Sequence, residues 1–154
     1  MRLGKDKEAA AIASDLLERL DRAFMDIDFD LYAELLHVPH HIRTMHEVFD
    51  IRDQIQLSAC FDHYCKLFKD YRAVTCKRIV KSAEFRAKQR IVTRYSVSHF
   101  DCDGKLVTPT TFTTSILMVI NGKWRICGSD SNTRVTTGIG EAVENAVLRN
   151  TNAA

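Results

Sequence analysis

Near Tyr71 the hydrophobic period of this chain switches from three-and-four to two, and that change restricts it to a fold in which helices come first and a sheet follows. Before the switch, Ala9, Ile12, Ala13, Leu16, Leu17, Leu20, Ala23, Phe24 and Ile27 share one helical face. Asp28 or Asp30 suits the cap of a short second helix carrying Phe29, Tyr32, Leu35 and Leu36, and Pro39 forces His37 and Val38 out of helical geometry. Residues 40–44 then read as a short strand, with residues 47–49 as its partner across a turn near Met45 and His46. Asp50, with Asp53 three residues later, suits the start of a third helix whose face is Leu57, Phe61, Tyr64, Phe68 and Tyr71.

After the switch, residues 74–85, 90–100, 108–120 and 123–129 alternate and are rich in β-branched and aromatic side chains, which predicts four strands. Asp103-Gly104 and Asn121-Gly122 lie between strands and supply the positive φ angles of tight hairpin turns, so the expected sheet is antiparallel. The fold class is therefore α+β, N-terminal helices packed on a curved antiparallel sheet. The tail from Gly138, with Ala142, Val143, Ala146 and Val147, suits a last short helix, and residues 150–154 should fray. Thr136-Thr137-Gly138-Ile139-Gly140 reads only as a turn, without the lysine of a phosphate-binding loop.

The length, 154 residues with 45% hydrophobic content, suits one domain over residues 1–154. Basic residues number 22 and acidic ones 20, mixed along the chain, which leaves no charge surplus to hold a nucleic acid. The start lacks the continuous apolar stretch of a secretory signal, and no run of about 18 apolar residues offers a membrane span, so a cytoplasmic protein is expected. Cys60, Cys65, Cys76, Cys102 and Cys127 form an odd set with no C-x-x-C pair, which fits free, mostly buried thiols.

The order helix, short helix, proline, hairpin, helix and four-strand meander resembles the nuclear-transport-factor-2-like superfamily, whose cystatin-like cone wraps a sheet around a pocket. The phrase around Pro39, the turn Phe100-Asp101-Cys102-Asp103-Gly104 and the strand start Gly122-Lys123-Trp124-Arg125-Ile126 carry the resemblance, the last of them to the SnoaL-like branch. What it implies is a small-molecule-binding protein, with cofactor-independent isomerase, dehydratase or cyclase chemistry as the candidate activity. The alternative is a non-catalytic subunit of a larger complex, such as the small subunit of a ring-hydroxylating dioxygenase. The strand Pro39-His40-His41-Ile42-Arg43-Thr44 lacks the aspartate that the isomerase-like members place near there as a base, and a histidine is the natural substitute.

The cluster His37, His40, His41 and His46 suggests a metal, but Pro39 prevents helical ligand spacing and adjacent strand residues His40 and His41 point to opposite faces. No metal and no cofactor is expected. Register gives a sharper constellation. With two-residue turns at Asp103-Gly104 and Asn121-Gly122, Thr113 lies between Arg94 and Asp130, Trp124 opposite Val119, Ile126 opposite Leu117, and Ser115 between Val92 and Gly128. That is an apolar floor with a polar row at one end. Arg94, Thr113, Ser115, Trp124 and Tyr32 are the candidate ligand contacts, and Asp130 and His40 the candidate proton-transfer groups. A structural ion pair between Arg94 and Asp130 is the plain alternative, and a bulge at Pro109 would shift the first register by one and send Arg94 to the opposite face. The other face, with Tyr95, Phe112, Ile116 and Met118, is too apolar to meet water alone and is expected to pair a homodimer. The expected ligand is a small apolar molecule with a polar or acidic group.

Overall fold

A computed structural model of the chain describes residues 2–132 and 139–152, with the side chains of residues 6–132 and 140–146. Helix α1 (Arg2–Met25) begins seven residues earlier than the apolar face that predicts it. Asp28 caps α2 (Phe29–Leu35), its carboxylate accepting from the Leu31 amide at 3.1 Å. Strand β1 (Leu36–Arg43) follows, and it includes Pro39, joined to Val38 by a cis peptide bond. Strand β2 (Val48–Ile51) returns beside it. Asp53 caps α3 (Gln54–Asp70), accepting from the Gln56 amide at 2.8 Å, whereas Asp50 stays on β2 and pairs with His41. Strands β3 (Thr75–Ala87), β4 (Arg90–Phe100), β5 (Thr111–Ile120) and β6 (Lys123–Ser131) form the meander. Helix α4 (Ile139–Asn152) packs on α3, where Gln56 donates to the Val143 carbonyl. Of the turn expected over residues 136–140 and the fraying expected over 150–154, Ile139, Gly140 and residues 150–152 instead lie in α4, and residues 136–138 and 153–154 lie outside the described residues. Among the described residues no helix is long and apolar enough to cross a membrane.

The six strands make one curved, open sheet in the order β2-β1-β6-β5-β4-β3. It is mixed rather than antiparallel, because β1 runs parallel to β6. Hairpin connections dictate direction only within β3–β6; β1 and β6 are joined by no hairpin, so sequential turns say nothing about their pairing. Pairing between β1 and β6 jumps from Leu36–Ile126 to His41–Gly128 across Pro39, which has no N–H to give to a ladder.

Helices α1, α2 and α3 cover the inner face. Phe61 is at the centre of their aromatic core, 4.8 Å from the Tyr32 ring and 5.6 Å from Phe24 between centroids. Ala9, Ala13, Leu16, Leu17 and Leu20 bring the α1 stripe against β3.

Two local irregularities decide which strand residues look inward. The β4–β5 connection is a turn over residues 101–105, with Asp101 Oδ1 accepting from the amides of Asp103 and Lys105, and Gly104 at φ +76°. Residues 108–110 then leave the ladder around Pro109, and β5 resumes with Thr111 opposite Val97. The net slip relative to a two-residue turn is one residue, so Arg94 faces Thr114 and Tyr95 faces Thr113. In the second hairpin Asn121 (φ +52°) and Gly122 (φ +80°) form the expected turn, with Trp124 opposite Val119 and Ile126 opposite Leu117. A bulge at Cys127 then shifts the pairing, placing Asp130 opposite Thr114 and Ser131 opposite Thr113.

Arg94 and Asp130 therefore share a row, but around Thr114 and on the outer face, where both are exposed. The expectation that they line the cone is overturned by the Pro109 slip and the Cys127 bulge. The same slip turns Tyr95 inward, where it is 4% exposed, so it does not belong to the outer apolar face.

Candidate functional site

Between the helices and the inner face of the sheet lies a cavity of about 200 Å³. Its walls are mostly apolar, with Leu20 and Phe24 from α1, Leu67 and Phe68 from α3, and Val97 and Ile126 from the sheet. Exposed Arg43, Tyr71 and Pro109 stand at its open end. Into this lining project a few polar groups, each delivered by a different element.

His40 comes from β1, where alternation turns it in and His41 out: His40 is 2% exposed, while His41 meets Asp50 on the surface at 2.6 Å. Its Nδ1 lies 3.2 Å from the Ile126 carbonyl, which can only accept, so Nδ1 carries the proton and Nε2 is the nitrogen left with a lone pair. Burial lowers its pKa to about 4, the bond to Ile126 opposing this only in part, so the ring is neutral at pH 7. His99, from β4, packs its ring 4.9 Å from Phe68. Burial and then the nearby Arg78 charge lower its pKa to about 4, and its buried Nε2 has no hydrogen-bond partner among the described residues.

Arg78 reaches in from β3. Its Nη1 donates to Asp21 Oδ1, its backbone amide donates to Asp21 Oδ2 at 2.9 Å, and its guanidinium lies over the Phe24 ring at 5.3 Å. Cys76 adds a contact from its thiol to Asp21 Oδ1 at 3.5 Å. Burial opposes the Arg78 charge, but Asp21 more than offsets it and the guanidinium stays protonated. The field of Arg78 reaches Tyr32 and Tyr64. Burial, with nearby Cys60, pushes both phenols above their ordinary range, so both remain neutral donors. Tyr32 shares a 3.8 Å contact with the Cys60 thiol, whereas the Tyr64 hydroxyl makes no hydrogen bond among the described residues.

Of the residues singled out in the sequence, Tyr32, His40 and Thr113 line the cavity. Ser115 is fully buried beneath its floor, sharing hydrogen bonds with the Tyr95 hydroxyl at 2.8 Å and Ser129 at 3.1 Å. Trp124 packs on Phe85 with centroids 6.2 Å apart and is not part of the lining. Arg94 and Asp130 lie on the far side of the sheet. Sequence reasoning missed Arg78, Tyr64 and His99. One signal was available: Asp21 falls four residues after Leu17 and three before Phe24, on the apolar stripe of α1, where an unpaired carboxylate would be costly. Among the described residues no group of three His, Cys, Asp or Glu side chains converges as metal ligands would.

Solved structures share this fold. A nuclear-transport-factor-2-like protein of unknown function from Shewanella oneidensis superposes with TM-score 0.62 at 15% identity, covering 77% of this chain and 94% of its own. This is the nuclear-transport-factor-2-like fold. Aln2 from a Streptomyces species shares the cone with TM-score 0.63 at 14% identity, over 93% of this chain and 96% of its own. A cystatin-like domain of unknown function from Nostoc punctiforme does so with TM-score 0.64 at 9% identity, over 96% and 87%. No protein-family model and no curated protein matches the chain. At these identities the likeness speaks for the cone and leaves its chemistry to the cavity's own residues.

Proposed function

We propose that this chain binds a small, largely apolar molecule in its cone and moves a proton on it without a cofactor, in an isomerisation, dehydration or cyclisation. The observation that carries this reading is His40: a buried, neutral imidazole whose Nδ1–H is held by the Ile126 carbonyl, leaving Nε2 as a base in an apolar cavity. Nε2 takes the proton from the substrate, and the resulting imidazolium, a stronger acid than an ordinary histidine, returns it at a second atom or to a departing hydroxyl. The Tyr64 hydroxyl and Arg78 are the donors available to negative charge that develops in between. Tyr32 and Thr113 are ligand contacts in this reading. The strand start Gly122-Lys123-Trp124-Arg125-Ile126 supports a place among the SnoaL-like proteins, and five free thiols fit a reducing, cytoplasmic setting.

A second copy on the outer sheet face is the partner we propose. There Phe112 and Ile79 are 47% and 44% exposed beside half-buried Val92, Ile116 and Met118.

Mass spectrometry of the natively purified protein tests the binding reading, and turnover of the compound so found tests the chemistry. His40→Gln should keep binding within a few-fold and slow turnover by about 10²–10⁴. If no compound co-purifies and none from a broad library raises the melting temperature, the reading fails.

A further inference from the structure

We infer that the cavity selects an uncharged ligand presenting an acceptor oxygen, such as a ketone, to Arg78 and Tyr64, and that it discriminates against carboxylates of the same shape. This rests on the reading that the cavity holds a small molecule, and it narrows the ligand's class.

The charge balance inside the cone carries the inference. Arg78 and Asp21 have side chains 11% and 9% exposed, and they neutralise one another. The Asp21 carboxylate is engaged by Nη1 and the backbone amide of Arg78 and by the Cys76 thiol and is not part of the cavity lining. Arg78, in contrast, keeps a donor in hand: Nη2 has no hydrogen-bond partner among the described residues, while the equally unpartnered Nε is buried beyond a ligand's reach. Tyr64 adds an unengaged hydroxyl. The site thus presents surplus donors but no surplus positive charge. Its two histidines do not change this, because burial keeps both uncharged near neutrality.

A neutral oxygen collects those hydrogen bonds at the cost of little desolvation. A carboxylate would enter as a third buried charge beside a guanidinium whose charge Asp21 already balances, and would forfeit its hydration without a free counter-ion. Arg43, the other lining cation among the described residues, stands exposed at the mouth, where water and salt screen it.

Matched probes test this on the unmodified protein. Acetophenone and benzoate, and 2-acetylnaphthalene and 2-naphthoate, differ within each pair by a methyl ketone against a carboxylate. Binding is read at pH 7 by calorimetry and by thermal shift. The ketone of at least one pair should bind at least about tenfold more tightly than its acid. Asp21→Asn leaves the Arg78 charge uncompensated and should move that ratio at least about tenfold toward the acid; circular dichroism checks that the variant folds, and the wild-type ratio decides if it does not. A carboxylate that binds as well as its ketone overturns the selectivity while leaving the cavity reading intact. Failure of all four compounds to bind overturns the ketone preference, while the cavity reading stands or falls on the library screen and native mass spectrometry.

Discussion

Arg78 Nη1 donates to Asp21 Oδ1 inside the cone, joining the third strand to the first helix through an ion pair that is about nine-tenths buried. Such a pair contributes little net stability over an apolar pair, yet breaking it strands a charge in a low-dielectric site. Asp21→Ala should lower the unfolding free energy by about 3–5 kcal/mol, and the double variant Asp21→Leu/Arg78→Met should recover most of that. Urea denaturation measures both. A single variant costing under about 1 kcal/mol would mean that water reaches the guanidinium freely.

Stability should fall in mild acid. His40 and His99 have folded pKa values near 4 against an ordinary 6.5. Between those values the unfolded chain binds more protons than the folded one, so their contribution is complete above about pH 6.5 and is lost as pH falls toward 4. Each is worth up to about 3 kcal/mol by that linkage. Urea midpoints at pH 7 and pH 5 should differ clearly in the wild type and less in His40→Gln. An unchanged pH slope in that variant would show His40 already protonated or solvated in the native state.

The thiols should separate by access. Cys102, on the exposed 101–105 turn, should react first with a disulfide reagent, as the exception to a set of mostly covered thiols. Cys60 and Cys76 should react only on unfolding, because burial raises their pKa values to about 12 and about 11. Cys102→Ser should abolish the fast phase. A fast phase that persists would place another thiol at the surface.

The outer sheet face should hold a dimer at micromolar concentration, and Phe112→Asp should dissociate it, as read by light scattering. Arg94→Met, on the same face, should leave ligand affinity in the cone unchanged within about twofold, since the sheet stands between them. A loss of affinity in that variant would contradict the register.

Short-range and long-range interactions divide what is legible in this sequence from what is not. Periodicity, the Asp28 cap and the Asn121-Gly122 turn act within a few residues and produce their elements where the sequence predicts them, whereas the third helix starts three residues later than expected, at Asp53 rather than Asp50. Alternation beside Pro39 also separated His40 from His41, without saying which of the two turns inward; the structure buries His40. Alternation also gives two faces for every strand, but it leaves open which face meets the helices and how neighbours align. Those choices were made by a one-residue slip around Pro109 and by the bulge at Cys127, and they moved Arg94 and Asp130 outside together.

The pairing of Asp21 with Arg78 spans more than fifty residues and exists only because α1 lies across β3. By itself, then, the sequence determined the helices, the strands, the tight turn and the class of fold, because those follow from local backbone and burial preferences. Tertiary structure alone decided the parallel β1–β6 pairing, the register and the polar contents of the cavity, because these depend on which distant surfaces can be buried against one another without leaving a charge or an amide unpartnered.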